Sequence, residues 1–154
     1  MTFNHAVEII IRHEGSEYHT SNLGYYKTKY GISDRTHGHI NIKDLSKDQA
    51  KAIHHEIWIE YKMSELPSDL RLAVFSIGTL LGFNHAFRIL SSAVNLPFQV
   101  EALTPDLKAK IIALEPKEVK SVFIILVLFM LLDAYDFQKI GRSILPRLIE
   151  SVCL

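Results

Sequence analysis

Apolar residues recur along most of this chain at helical spacing, with one polar interruption near the start. Phe3, Ala6, Val7, Ile10 and Ile11 fall on one face of a helix. Thr2 or Asn4 is placed to cap it. The stripe through positions 3, 7, 10 and 14 lands on Glu14, and Gly15 follows as a stop. From residue 15 to 40 the period disappears. Gly15, Gly24, Gly31 and Gly38 alternate with Ser, Thr, Asn and Tyr18, Tyr25, Tyr26 and Tyr30, which predicts a small β-hairpin or irregular loop.

Helical spacing then resumes. Ser46-Lys47-Asp48-Gln49 is a capping-box pattern, and Ala50, Ile53, Ile57 and Tyr61 form the apolar face behind it. Pro67-Ser68 opens a helix with Leu70, Ala73, Val74, Ile77 and Leu81, stopped or loosened by Gly82. Ala86 to Val94 forms a short helix. Thr104-Pro105 pairs an N-cap with proline at the first helical position, ahead of Lys108 to Leu114. Pro116 opens a long apolar helix ending near Tyr135, and a last helix is expected from Ile144 to Val152. No repeat or linker breaks this series, so the expectation is one mainly α domain over 1–154.

Composition narrows the classes. The chain has 154 residues, 48% hydrophobic and 22% charged, enough for one folded core. Formal net charge is zero and no Lys/Arg run occurs, which argues against a nucleic-acid partner. The one cysteine, Cys153, allows no internal disulfide. Met1 to Arg12 lacks the basic leader and cleavage site of a secretory signal. The expectation is a protein made in the cytoplasm, so a substrate outside it would call for a separate release or secretion route. Val122 to Leu132 is apolar throughout but far shorter than the roughly 20 residues of a spanning helix, so it reads as a core helix; membrane contact is the other reading.

Candidate chemistry centres on Glu14. Glycoside hydrolysis commonly needs a carboxylic acid to protonate the leaving oxygen, and an apolar setting favours its protonated form. Glu14 stands where an apolar stripe meets a glycine, so its side chain can face a cleft walled by the Tyr-rich segment. Tyr25 and Tyr26 offer aromatic faces to sugar rings; packing within a hairpin is their other reading. The eight histidines include His37, His39, His54 and His55, but lack a recurring ligand spacing, so neither a metal nor a cofactor is expected and they read as surface or core residues. Neither Gly-x-Ser-x-Gly nor a phosphate-binding glycine loop is present.

Arg12-His13-Glu14-Gly15, then Thr28-Lys29-Tyr30-Gly31-Ile32-Ser33, then Ile42 to Ile53 with its Gln49-Ala50, resemble glycoside hydrolase family 108. Trp58, Leu66-Pro67 and Leu72 to Phe75 fit the same pattern. Leu103 to Leu114 is similar to that family's small peptidoglycan-binding subdomain, and Gly141 to Leu148 is similar to its closing segment. The resemblance implies a lysozyme-like helical fold, with a catalytic-type lobe over 1–95 and a peptidoglycan-binding-like subdomain over 96–154. It implies a hydrolase of the muramidase kind found in phage endolysins and secretion-activating proteins, acting on peptidoglycan glycan strands. It carries the acid to Glu14 and the cleft-bordering threonine to Thr28. Asn22, Tyr25, Tyr26 and Tyr30 are the expected substrate-binding residues, with Arg142 and Arg147 further candidates for glycan contact.

The sequence departs from that family in three places. Ser16 replaces the second glycine after the glutamate. Leu23 falls where the family's loop aspartate belongs, and no Asp occurs between residues 15 and 33. Leu80 falls where an asparagine belongs. Asn22 can hold a water but is a poor base. Two functions follow as expectations: an N-acetylmuramidase using Glu14, or a catalytically weakened module that binds peptidoglycan or a protein partner.

Overall fold

The computed structural model describes residues 1–20, 26–133 and 150. Helix α1 spans Phe3–Glu14. The Thr2 hydroxyl caps it by accepting from the His5 N–H. It ends where Gly15 adopts φ +78°, a conformation in which an L-residue is strained.

Behind α1 lies an antiparallel sheet in the order β1 (His19–Thr20), β2 (Lys27–Lys29), β3 (Ile32–Ser33). The expected hairpin therefore gains a third strand. Its register opposes His19 to Thr28 and Thr28 to Ser33, so these three residues form one row across the sheet. Side chains alternate along a strand, so this row faces away from Ile32, which is buried. Ile32 packs with Ile42, Leu45 and Ala50 in a small core of its own, flanked by Tyr30, Ile40 and Ile53.

Helix α2 spans Lys47–Glu60 and opens with the predicted capping box: Ser46 N–H donates to Gln49 Oε1 at 2.8 Å, and Gln49 N–H donates to Ser46 Oγ at 3.2 Å. Its fully buried residues are Ala50, His54 and Trp58, whereas Ile53, Ile57 and Tyr61 are half-buried. The inward face is thus rotated from the apolar stripe. A hydrophobic pattern does not register a buried histidine that bonds a backbone carbonyl through one ring nitrogen.

Helices α3 (Ser68–Leu81) and α4 (Phe83–Ala93) meet at Gly82, at φ +95°. That single residue turns the chain, so α4 starts ahead of the expected Ala86. The Phe83 ring then lies over Gly78, where a Cβ would come within 2.4 Å of it. Helices α5 (Pro105–Ala113) and α6 (Pro116–Asp133) follow, α5 capped by Thr104 with Pro105 in its first turn. The main core joins Ile9 and Ile10 of α1, Trp58, the inward residues of α3 and α4, Leu107 and Ile111 of α5, and Val119, Phe123 and Val127 of α6. Trp58 and Phe75 meet edge to face at 5.1 Å, a favoured aromatic arrangement. On α6 one face is buried while Val122 and Ile125 point outward. Among the described residues no helix is long and apolar enough to cross a membrane. The expected last helix, which holds Arg147, lies outside the described residues apart from Glu150, as do Arg142 and Cys153.

Candidate active site

Glu14 is the last residue of α1 and is half-buried. Its side chain passes over Gly31. A Cβ built on Gly31 would lie 3.0 Å from Glu14 Cγ, 3.5 Å from the carboxyl carbon and 3.5 Å from His54 Cε1. The absence of a side chain at residue 31 is therefore what lets the helix end and the sheet close together. Tyr30 and Gly31 both take left-handed backbone, at φ +55° and +79°, and turn β2 into β3. The Tyr30 N–H donates to Gly15 O at 3.2 Å, tying that turn to the residue after Glu14.

His54 holds the other side of the turn. Its Nε2 lies 2.8 Å from Tyr30 O. A carbonyl oxygen only accepts, so Nε2 carries the proton and Nδ1 does not. Nδ1 is buried and has no hydrogen-bond partner among the described residues. Burial pushes the His54 imidazole below its ordinary range, outweighing the upward pull of the Tyr30 carbonyl and of Glu14, so the ring is held neutral.

Thr28 sits at the centre of the polar row. Its Oγ1 is 3.0 Å from His19 Nε2, and His19 Nδ1 is 3.0 Å from Glu17 O. Of the predicted substrate-binding residues, Tyr26 has the Arg35 guanidinium over its ring at 4.9 Å. Tyr30 packs partly against the small core, with Lys29 Nζ 5.5 Å from its ring. Asn22 and Tyr25 lie outside the described residues, as does Leu23. The structure thus gathers Glu14, Gly31, Tyr30 and His54 at one junction and pairs Thr28 with His19 on the adjoining sheet.

Two further sets of ion pairs brace α1, one at its end and one at its middle. Glu150 forms an ion pair with Arg12 and lies 2.5 Å from His13 Nε2 through its other oxygen. Arg12, and less strongly His13, hold the Glu150 carboxyl below the usual carboxylate range. On α2, Lys47 and Lys51 pair with Glu8.

Sequence reasoning missed His19, His54 and Glu150. His54 was legible only as a residue four positions after Ala50 and four before Trp58, on a helix whose inward face was misread by one position. His19 had a positional signal: a hairpin centred between Leu23 and Gly24 pairs residues whose numbers sum alike, 19 with 28 and 20 with 27.

A mainly α domain with a small antiparallel sheet behind its first helix is a lysozyme-like fold. Residues 7–82 match the glycosyl hydrolase 108 family, and over that stretch the chain is similar to it. Among solved structures it is similar to that of Brucella abortus SagA, with a TM-score of 0.85 and 19% sequence identity, over 98% of this chain and 91% of that one. No curated protein sequence matches it.

Proposed function

We propose that the protein is a peptidoglycan hydrolase, an N-acetylmuramidase that cleaves the glycan between N-acetylmuramic acid and N-acetylglucosamine. Glu14 is the general acid, and Thr28 helps place the attacking water. The observation that carries this reading is the seat of Glu14: a carboxyl at the end of α1, lodged over Gly31 of the motif shared with a glycoside hydrolase family. The carboxyl is half-buried and stands beside a buried, neutral His54 at the junction of helix and sheet. The test is reducing-end release from purified peptidoglycan by the native protein and by Glu14→Gln. The substitution keeps size and hydrogen bonding and removes the transferable proton. Product from the native protein alone supports the proposal. Silence from both, on a substrate that a known muramidase digests, ends it.

Leucine at residue 23 favours a second reading, a glycan-binding module with weakened catalysis. Co-sedimentation with sacculi that survives Glu14→Gln, without reducing-end release, is its signature.

A further inference from the structure

Hydrolysis needs a group to take the proton of the attacking water, and this chain has leucine at residue 23, where the family it resembles carries a loop aspartate. Resting on the hydrolase reading above, the geometry points to His19, acting through Thr28, as the proton acceptor that replaces it.

The hydrogen bonds fix the direction. His19 Nδ1 faces a carbonyl oxygen, that of Glu17, at 3.0 Å, so Nδ1 bears the proton in the neutral ring. Nε2 is then a bare lone pair, and it faces Thr28 Oγ1 at 3.0 Å. The threonine must donate to it. Donation leaves the Thr28 oxygen with lone pairs to receive a water, and gives the proton it gains a place to go. Cross-strand pairing of residues 19 and 28 holds both groups in this arrangement, on the sheet face that turns away from the small core.

Three other groups are already committed. The Asp34 carboxylate accepts the Lys27 N–H at 3.0 Å, in the neighbouring row. His54 is buried, with its protonated nitrogen on Tyr30 O. His13 is held by Glu150. Glu17 touches the pair through its backbone carbonyl.

In the step itself, Glu14 gives its proton to the glycosidic oxygen as the bond from the anomeric carbon to that oxygen breaks. A water held by Thr28 Oγ1 forms the new carbon–oxygen bond on the opposite face. One water proton passes to Thr28 Oγ1 while the threonine's own proton moves to His19 Nε2. The products are the hemiacetal, the free hydroxyl of the leaving sugar, a Glu14 carboxylate and a His19 imidazolium. Solvent returns a proton to the Glu14 carboxylate and takes one from the His19 imidazolium. Direct attack by water inverts the anomeric configuration.

The experiment measures kcat and KM on peptidoglycan for the native protein, Glu14→Gln, His19→Ala, His19→Gln, Thr28→Val and the double variant His19→Ala/Thr28→Val. Loss of a general base costs about 10²–10⁴-fold in rate. The expected result is a fall of at least ~10² in kcat for each single variant, with KM nearly unchanged. The double variant falls no further than either single one, because the two residues act as a unit. Added imidazole restores part of the rate to His19→Ala and none to Glu14→Gln. Imidazole ¹⁵N shifts of the native protein place the His19 proton on Nδ1. If His19→Ala keeps native kcat while Glu14→Gln is dead, or the shifts place the proton on Nε2, the relay is overturned and the hydrolase reading stands. If the product retains its anomeric configuration, the relay is likewise overturned. If the native protein releases nothing, both fall.

Discussion

Gly31→Ala tests whether the seat of Glu14 is set by the missing side chain at residue 31. Two costs add. The residue sits at φ +79°, where an L-residue pays about 1–2 kcal/mol over glycine. The new methyl would lie 3.0 Å from Glu14 Cγ, closer than ordinary van der Waals contact, with His54 Cε1 at 3.5 Å on its other side. His54 is fixed among core residues, so the glutamate must yield. The stability loss is therefore set mainly by the backbone, at about 1–2 kcal/mol, or roughly 2–8 °C in Tm for a chain of this size. The effect on turnover is larger in proportion. Displacing a reacting group by about 1 Å can cost on the order of 10²-fold. Gly78→Ala is the control. Its methyl would meet the Phe83 ring at 2.4 Å and overpack the main core, for about 1–3 kcal/mol, at a glycine whose near neighbours include no part of the site. Urea unfolding and reducing-end release, assayed well below either Tm, separate the two effects. Both variants lose stability, and only Gly31→Ala loses activity per folded molecule. Native turnover by Gly31→Ala, or an equal loss in Gly78→Ala, would refute the reasoning.

Acid should weaken the fold before carboxylates titrate. His54 has a lowered folded-state pKa, so its stabilising contribution is complete above about pH 6.5 and is lost as pH falls through that region toward the folded value, because the unfolded chain takes up the proton first. His37, lowered by burial and by His39, acts in the same sense. Urea midpoints measured from pH 7.5 to pH 5 should fall, and should fall less in His54→Phe. Glu150→Gln should cost no more than about 1 kcal/mol near neutrality, since its pairs with Arg12 and His13 are partly exposed, and the native protein should lose that margin as pH drops below the usual carboxylate range. Thermal unfolding of the two proteins at pH 7 and pH 3.5 checks this, and a difference that grows on acidification would contradict it.

The helices were legible in the sequence because their signals are local. Thr2, the Ser46–Gln49 box, Thr104-Pro105 and the stop at Gly15 all act within one turn, and the structure places each as expected. The place of Glu14 at the end of α1 was legible for the same reason, as the end of a stripe beside a glycine. What the sequence hid depends on backbone handedness, on the seating of one ring and on distant pairing. The third strand exists because Tyr30 and Gly31 reverse the chain in left-handed conformations, and a pattern of polar and apolar residues carries no backbone sign. The burial of His54 depends on a carbonyl 24 residues away, and the brace on Arg12 and His13 comes from residue 150. The immediate start of α4 after Gly82 depends on an aromatic ring finding a glycine one turn back.

The two halves of the candidate site hang from different cores. Glu14 extends from a helix anchored in the large one, while Thr28 and His19 ride on a sheet held by Ile32, Ile42, Leu45 and Ala50. Helix α2 spans both, with Ala50 in one and Trp58 in the other, and His54 midway. Little apolar surface secures the sheet, so it can open as a separate cooperative unit while the helices remain closed. Amide protons of β1 to β3 should then exchange at a lower opening free energy than those of α3 and α4. Such an opening would move Thr28 and His19 while the helices that carry Glu14 stay closed.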